Sequence, residues 1–161
     1  MSSEGVMTDR AARNEFALLL RRLASGRITN ARFDGYRPDR APDSGVQAVA
    51  DAAWQLYDDF GVYRLRGRRA LRRDALAAVA RWVLFLQSDY EYEWPRNPRP
   101  SIGRFLLALM TFARISPIPP DRMRVWRQAG DYDCWPFVTR ADYENALGHP
   151  RFFVGDAPAA A

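Results

Sequence analysis

The sequence contains no lysine, one cysteine and one histidine, and the scarcity of cysteine and histidine excludes several kinds of site. The single cysteine, Cys134, excludes a disulfide framework within the chain and a cysteine-based zinc site. The single histidine, His149, excludes a metal site built from several imidazole groups. No apolar stretch approaches the roughly 20 residues that a membrane-spanning helix needs, so no membrane span is expected.

The beginning of the chain and the scarcity of cysteine both bear on location. The first residues lack the basic start and apolar stretch of a secretory signal. Together with the lone cysteine, this favours the reducing cytoplasm. The 161 residues are enough for one domain, so we expect a single helical domain over residues 1–161, with frayed ends near residues 1–7 and 157–161.

All 24 basic residues are arginine, and the formal net charge is +5. The guanidinium group suits paired hydrogen bonds to carboxylates and phosphates better than an ammonium group does. Arginine in place of lysine is also what a GC-rich bacterial genome produces. The absence of lysine therefore gives little support to nucleic-acid binding, and the distribution of the arginines is more informative.

Six arginines lie within ten residues that contain no acid, and we call residues 64–73 the arginine segment: Arg64, Arg66, Arg68, Arg69, Arg72 and Arg73. The last four have helical spacings, which predicts one basic patch at the start of a helix expected over about residues 71–88. Positive charge is unfavourable there because a helix N-terminus is itself partly positive. This suggests an acidic partner, and three alternatives remain open: internal pairing with Asp58 and Asp59, an acidic protein, or nucleic acid.

Apolar residues recur at spacings of three and four along six stretches, which predicts amphipathic helices. Residues that can cap helix N-termini precede four of them: Thr8 or Asp9 for the first, Asp43 and Ser44 for the second, and Ser101 and Thr139 for two later ones. Gly26, Gly61 and Gly148 mark three of the ends. The predicted helices cover about residues 9–25, 44–60, 71–88, 101–113, 121–128 and 140–147.

The predicted helix over 71–88 is apolar around most of its circumference, which is typical of a helix packed on several sides. Two short strand-like pieces, residues 62–65 and 152–154, could pair as one minor hairpin. The predicted fold class is therefore all-α, or mainly α with that hairpin. We expect an irregular helical bundle around the buried central helix 71–88.

Two segments rich in acids and aromatics are candidate sites. In residues 89–95, alternation predicts acids on one side (Asp89, Glu91 and Glu93) and aromatic rings on the other. Those acids and the pair Asp131 and Asp133 could hold a hard cation, or could be solvated. A candidate aromatic pocket consists of Trp94, Trp126 and Trp135, whose alternative is a loop anchored on the core. Cys134 is expected to be a buried thiol, and His149 a surface residue.

No catalytic constellation is present in this pattern, and no cofactor or bound metal is expected. The leading hypothesis is a small cytoplasmic protein-binding module, such as an adaptor or a toxin-neutralising protein, with an acidic protein as its partner. The alternative is a nucleic-acid-binding protein that uses the arginine segment. A carboxylate-metal enzyme is a third hypothesis. The sequence gives no expectation for the oligomeric state.

Overall fold

A computed structural model describes residues 8–36, 43–58, 60–95 and 120–150. These residues fold into packed helices without a named strand, which confirms the all-α class. Short 3-10 turns occur at residues 54–56, 67–69 and 132–134. The α-helices of the described residues are α1 (Arg10–Ala24), α2 (Asn30–Asp34), α3 (Ser44–Ala53), α4 (Arg73–Gln87), α5 (Pro120–Arg127) and α6 (Arg140–Gly148).

Side-chain caps fix the starts of three of the predicted helices. Asp9 accepts a hydrogen bond from the backbone of Ala12 at the start of α1, at 3.0 Å. Asp43 caps α3, and Thr139 caps α6. Each cap satisfies a backbone N–H that has no partner inside its helix. The predicted starts at these residues are confirmed.

The central helix α4 packs against α1, α3 and α6. Its buried side chains lie in its second half: Val79, Trp82, Val83, Phe85 and Leu86. Its first turns are more exposed, and Leu76 is 44% exposed. The central position is as predicted, whereas burial is greater along α3, where six of ten residues are buried.

The predicted helix over residues 44–60 is too long. Helix α3 ends at Ala53, a 3-10 turn follows over Trp54–Leu56, and Tyr57 has extended backbone. The tighter turn changes the angle between successive side chains and so ends the helical periodicity. Tyr57 instead packs edge-on against Phe33 and hydrogen-bonds Asp34, both on α2.

An ion pair between Arg13 and Asp43 lies in the core, with each residue about 1% exposed. Arg13 Nε donates to Asp43 Oδ2 at 2.7 Å. Arg13 Nη1 also donates to the carbonyl oxygens of Ser88 and Tyr90, at 3.2 and 2.8 Å. The carboxylate accepts three further hydrogen bonds from the backbone N–H groups of Asp9, Gly45 and Val46. The pair thereby joins α1, the start of α3 and the chain that leaves α4.

Several predictions fall on residues outside those described. These are the ends at 1–7 and 157–161, the helix over 101–113 and the strand-like piece 152–154. The other strand-like piece, residues 62–65, forms an isolated antiparallel bridge between Arg64 and Thr29. Across the described ranges, the helices are too short or too polar to cross a bilayer.

Candidate functional site

The arginine segment is exposed, but it does not form the predicted patch on one helix. All six arginines lie in solvent. Arg68 and Arg69 belong to a 3-10 turn that begins at Gly67, and extended backbone at Ala70 and Arg72 separates this turn from α4. Gly67 has a φ of +57°, a left-handed conformation that favours glycine and bends the chain away from a helix. The expectation that Arg68, Arg69, Arg72 and Arg73 share the first turns of α4 is therefore wrong.

Three of the arginines have partners within the described chain. The Arg69 guanidinium lies 3.8 Å from the centre of the Tyr63 ring, and its Nη1 is 3.9 Å from Asp58 Oδ1. Arg72 is 3.7 Å from Asp74, with both side chains strongly exposed. Arg64 donates to the carbonyl oxygen of Arg27 at 2.7 Å. Internal pairing with Asp58 thus occurs for one arginine, and Asp59 lies outside the described residues.

The remaining arginines, Arg66, Arg68 and Arg73, have no acid within 4.0 Å among the described residues. The Arg66 side chain lies against Gly26, so a Cβ added at residue 26 would be only 2.4 Å from Arg66 Cγ. Gly26 has a φ of +65°, so glycine is needed there for both conformation and space.

Three large apolar side chains that precede the arginine segment in the sequence are exposed to solvent. Trp54 is 68% exposed, Phe60 is 88% exposed and Val62 is 71% exposed. The sequence pattern assigned Trp54 and Phe60 to the apolar face of a long helix, and the early end of α3 removes them from it. These residues are the functional candidates that the sequence analysis missed.

The alternation predicted for residues 89–95 is confirmed. Asp89, Glu91 and Glu93 are exposed, whereas the intervening aromatic side chains are partly or fully buried. Asp89 pairs with Arg10 at 2.6 Å, and Asp131 pairs with Arg140 at 3.0 Å. No three metal-ligating side chains of the described residues, these acids included, converge on a point where a cation would sit. The two acidic clusters do not meet as a metal site.

The three tryptophans of the candidate aromatic pocket do meet. The ring centres of Trp94 and Trp126 are 5.1 Å apart, and those of Trp126 and Trp135 are 6.3 Å apart. All three rings are buried, and so are Trp82 and Phe137 beside them. Trp94 Nε1 donates to the Phe137 carbonyl at 3.1 Å. The space between these tryptophans is occupied by their own rings, as in a packed core.

Cys134 is a buried free thiol, as expected from the sequence. Burial raises its pKa, and a hydrogen bond from its Sγ to Asp131 at 3.5 Å raises it further. A neutral thiol is a poor nucleophile and a poor metal ligand. Partial desolvation raises the pKa of Asp131, but hydrogen bonds from Cys134 and Asp133 and the charge of Arg140 outweigh it, so that pKa is lowered.

A cleft of about 310 Å³ lies between the end of α4 and α6. Three of its polar residues contact each other: Asn145 donates to Tyr90 Oη at 2.8 Å, and His149 Nδ1 lies 3.1 Å from the Asn145 carbonyl. His149 is exposed, as expected. The cleft is lined by Leu84, Gln87, Ser88, Asp89, Tyr90, Asn145, Ala146 and His149.

Comparison with known proteins adds no further constraint on the site. No protein-family model, curated protein or solved structure matches this chain significantly.

Proposed function

We propose that this chain is a small, non-catalytic protein-binding module of the adaptor or toxin-neutralising type, which recognises an acidic protein through the arginine segment. The observation that carries the proposal is the exposure of all six arginines, four of which lack an acidic partner among the described residues: Arg64, Arg66, Arg68 and Arg73. Guanidinium groups form short, charge-assisted and often bidentate hydrogen bonds to carboxylates. An acidic protein surface is the ligand that satisfies them.

The surroundings of the arginine segment favour a protein over a nucleic acid. Asp58 lies beside Arg69, Asp74 follows Arg73, and both carboxylates are exposed. A phosphate backbone carries a negative charge at every step and would be repelled by both carboxylates, whereas an acidic protein surface also carries neutral and basic side chains that can lie opposite them. Arginine and aromatic residues are also enriched at the centres of such interfaces.

Nucleic-acid binding through residues 64–73 is the second candidate function. One observation favours it, namely that the exposed rings of Trp54 and Phe60 precede the arginines and could stack on unpaired bases. Such binding would weaken steeply with salt. Engagement of about four phosphates on duplex DNA would give a log–log slope near −4.

The experiment compares two variants with the same net charge. In the test variant, Arg66, Arg68, Arg72 and Arg73 are replaced by glutamine. In the control variant, glutamine replaces four exposed arginines elsewhere: Arg22, Arg32, Arg124 and Arg127. Both are used to purify partners from a lysate of the cells that make the protein, with and without nuclease. Each partner is then identified, purified and titrated directly.

The proposal expects a nuclease-resistant acidic protein that binds the parent and the control but not the test variant. Equal binding to both variants would contradict it, because the arginine segment would then be dispensable. Loss of the partner on nuclease treatment would favour the nucleic-acid alternative. Circular dichroism should show the same helical content in both variants, since all eight replaced side chains are exposed.

A further inference from the structure

The loop that precedes the arginine segment is held by one buried amide. Asn30 is 3% exposed, and its Nδ2 donates to the carbonyl oxygens of Gly61 and Asp58, at 2.9 and 3.3 Å. Its Oδ1 accepts from the Tyr63 backbone N–H at 2.9 Å, and its own backbone N–H donates to the Tyr63 carbonyl at 3.0 Å. Four hydrogen bonds with a single residue of α2 therefore position this loop, of which residue 58 and residues 60–63 are described.

The loop is also tied within itself. The Asp58 backbone N–H donates to Tyr63 Oη at 2.8 Å, and the Phe60 N–H donates to Asp58 Oδ1 at 3.0 Å. Gly61 has a φ of +96°, and a Cβ there would meet no neighbouring atom. Glycine is therefore required at residue 61 for backbone conformation rather than for space.

This well-tied loop directs two apolar side chains into solvent. Single exposed apolar residues are common, but Phe60 and Val62 lie two residues apart on one loop and are among the most exposed large apolar side chains described. The backbone of Tyr63, by contrast, is directed to Asn30, and its ring is covered by Arg69. The loop thus presents an apolar tip, and the arginine segment follows directly.

We infer that Phe60, with Val62 beside it, is the apolar anchor of the interface, and that the partner is a protein with an apolar pocket rimmed by carboxylates. This inference rests on the proposed function and adds a specific contact to it. An aromatic side chain that enters a pocket is a typical centre of binding energy. Because Asn30 already orders the loop, little conformational entropy remains to be lost on binding. The neighbouring arginines are positively charged, and carboxylates at the rim of the partner's pocket are therefore electrostatically complementary to them.

A displayed library of small folded domains with a randomised concave surface, selected on the immobilised full-length chain, provides the probe, because a folded domain can form a pocket. A selected domain is purified and titrated against the parent and the variants at several salt concentrations. Phe60→Ala tests the anchor, and Phe60→Leu tests whether an apolar side chain is sufficient. Val125→Ala, which shortens an exposed apolar residue on α5, is the matched control. Thermal unfolding of each variant checks that the fold is unchanged.

We expect selected domains to combine an apolar pocket with acidic residues at its rim. Phe60→Ala should weaken binding roughly 10- to 100-fold, the factor that corresponds to losing burial of one phenylalanine side chain. The salt dependence should stay the same, because no charge is removed. Phe60→Leu should retain most of the affinity, and Val125→Ala should retain all of it.

The inference and the proposed function fail in different ways. Unchanged binding by Phe60→Ala, with binding lost when Arg66, Arg68, Arg72 and Arg73 become glutamine, would overturn the anchor alone. Unchanged binding by the four-glutamine variant, with binding lost in Phe60→Ala, would overturn the acidic partner and leave the anchor. A single-stranded oligonucleotide that outcompetes every selected domain would overturn both in favour of a nucleic acid.

Discussion

Within the buried ion pair of Arg13 and Asp43, loss of Asp43 should destabilise the fold more than loss of Arg13. Asp43→Ala leaves the guanidinium buried with two carbonyl acceptors and the face of the Phe85 ring, 5.0 Å away. Breaking a buried pair in this way costs about 3–5 kcal/mol. The same change removes the N-cap of α3, which contributes about 1 kcal/mol. Asp43→Ala should therefore lower the free energy of unfolding by about 4–6 kcal/mol.

Arg13→Met should cost less, because the carboxylate that remains keeps its three backbone N–H donors. Those donors offset part of the penalty for an unpaired charge, so about 2–4 kcal/mol is expected. In the double variant Arg13→Met with Asp43→Ser, no charge is left buried and serine can still cap α3. The double variant should lower the free energy of unfolding by less than the sum of the Arg13→Met and Asp43→Ser effects. The difference should be at least about 1 kcal/mol.

Equilibrium unfolding in urea, followed by circular dichroism and tryptophan fluorescence, measures these differences. Coincident transitions by the two probes would justify a two-state treatment. The reasoning fails if Arg13→Met costs more than Asp43→Ala. It also fails if each single change costs less than about 1 kcal/mol, since a surface pair would behave in that way.

Three further predictions concern the core and its titratable groups. Val83→Ala should lower the free energy of unfolding by about 1–3 kcal/mol through lost burial and a cavity, and a loss below about 0.5 kcal/mol in urea would contradict the central place of α4. Burial raises the pKa of Tyr92 from 10.0 to about 12, although a hydrogen bond from Trp135 opposes this. The stability that comes from the neutral phenol is thus complete below pH 10 and is lost as the pH rises through 12. Urea unfolding across this range should show a shallower decline for Tyr92→Phe than for the parent, and equal declines would refute the assignment. Because burial raises its pKa, Cys134 should react slowly with a thiol reagent until urea opens the fold, and an immediate reaction of the native protein would contradict its burial.

Local signals in the sequence account for much of the fold. The caps at Asp9, Asp43 and Thr139, together with the spacing of apolar residues, predict where α1, α3 and α6 begin. The alternation in residues 89–95 likewise predicts which side chains face water. These features depend on neighbours within a few residues, so they can be read from one stretch of sequence.

Features that join distant parts of the chain could not be predicted in the same way. Arg13 stands among ordinary polar residues of an amphipathic helix, and nothing local indicates that Asp43 and two carbonyls surround it. The exposure of Phe60 depends on the end of α3 at Ala53 and on hydrogen bonds to Asn30. The composition of the arginine segment was evident from the sequence, but its division between a 3-10 turn and α4 depends on Gly67 and its positive φ.

The most direct test of the central claim is a titration of the purified acidic partner against the two four-glutamine variants. Their net charges are equal, so any difference in affinity reports the position of the arginines and not the overall charge. The account predicts that replacing Arg66, Arg68, Arg72 and Arg73 abolishes binding, while replacing Arg22, Arg32, Arg124 and Arg127 leaves the dissociation constant close to that of the parent. Equal dissociation constants for the two variants would contradict the assignment of partner binding to the arginine segment.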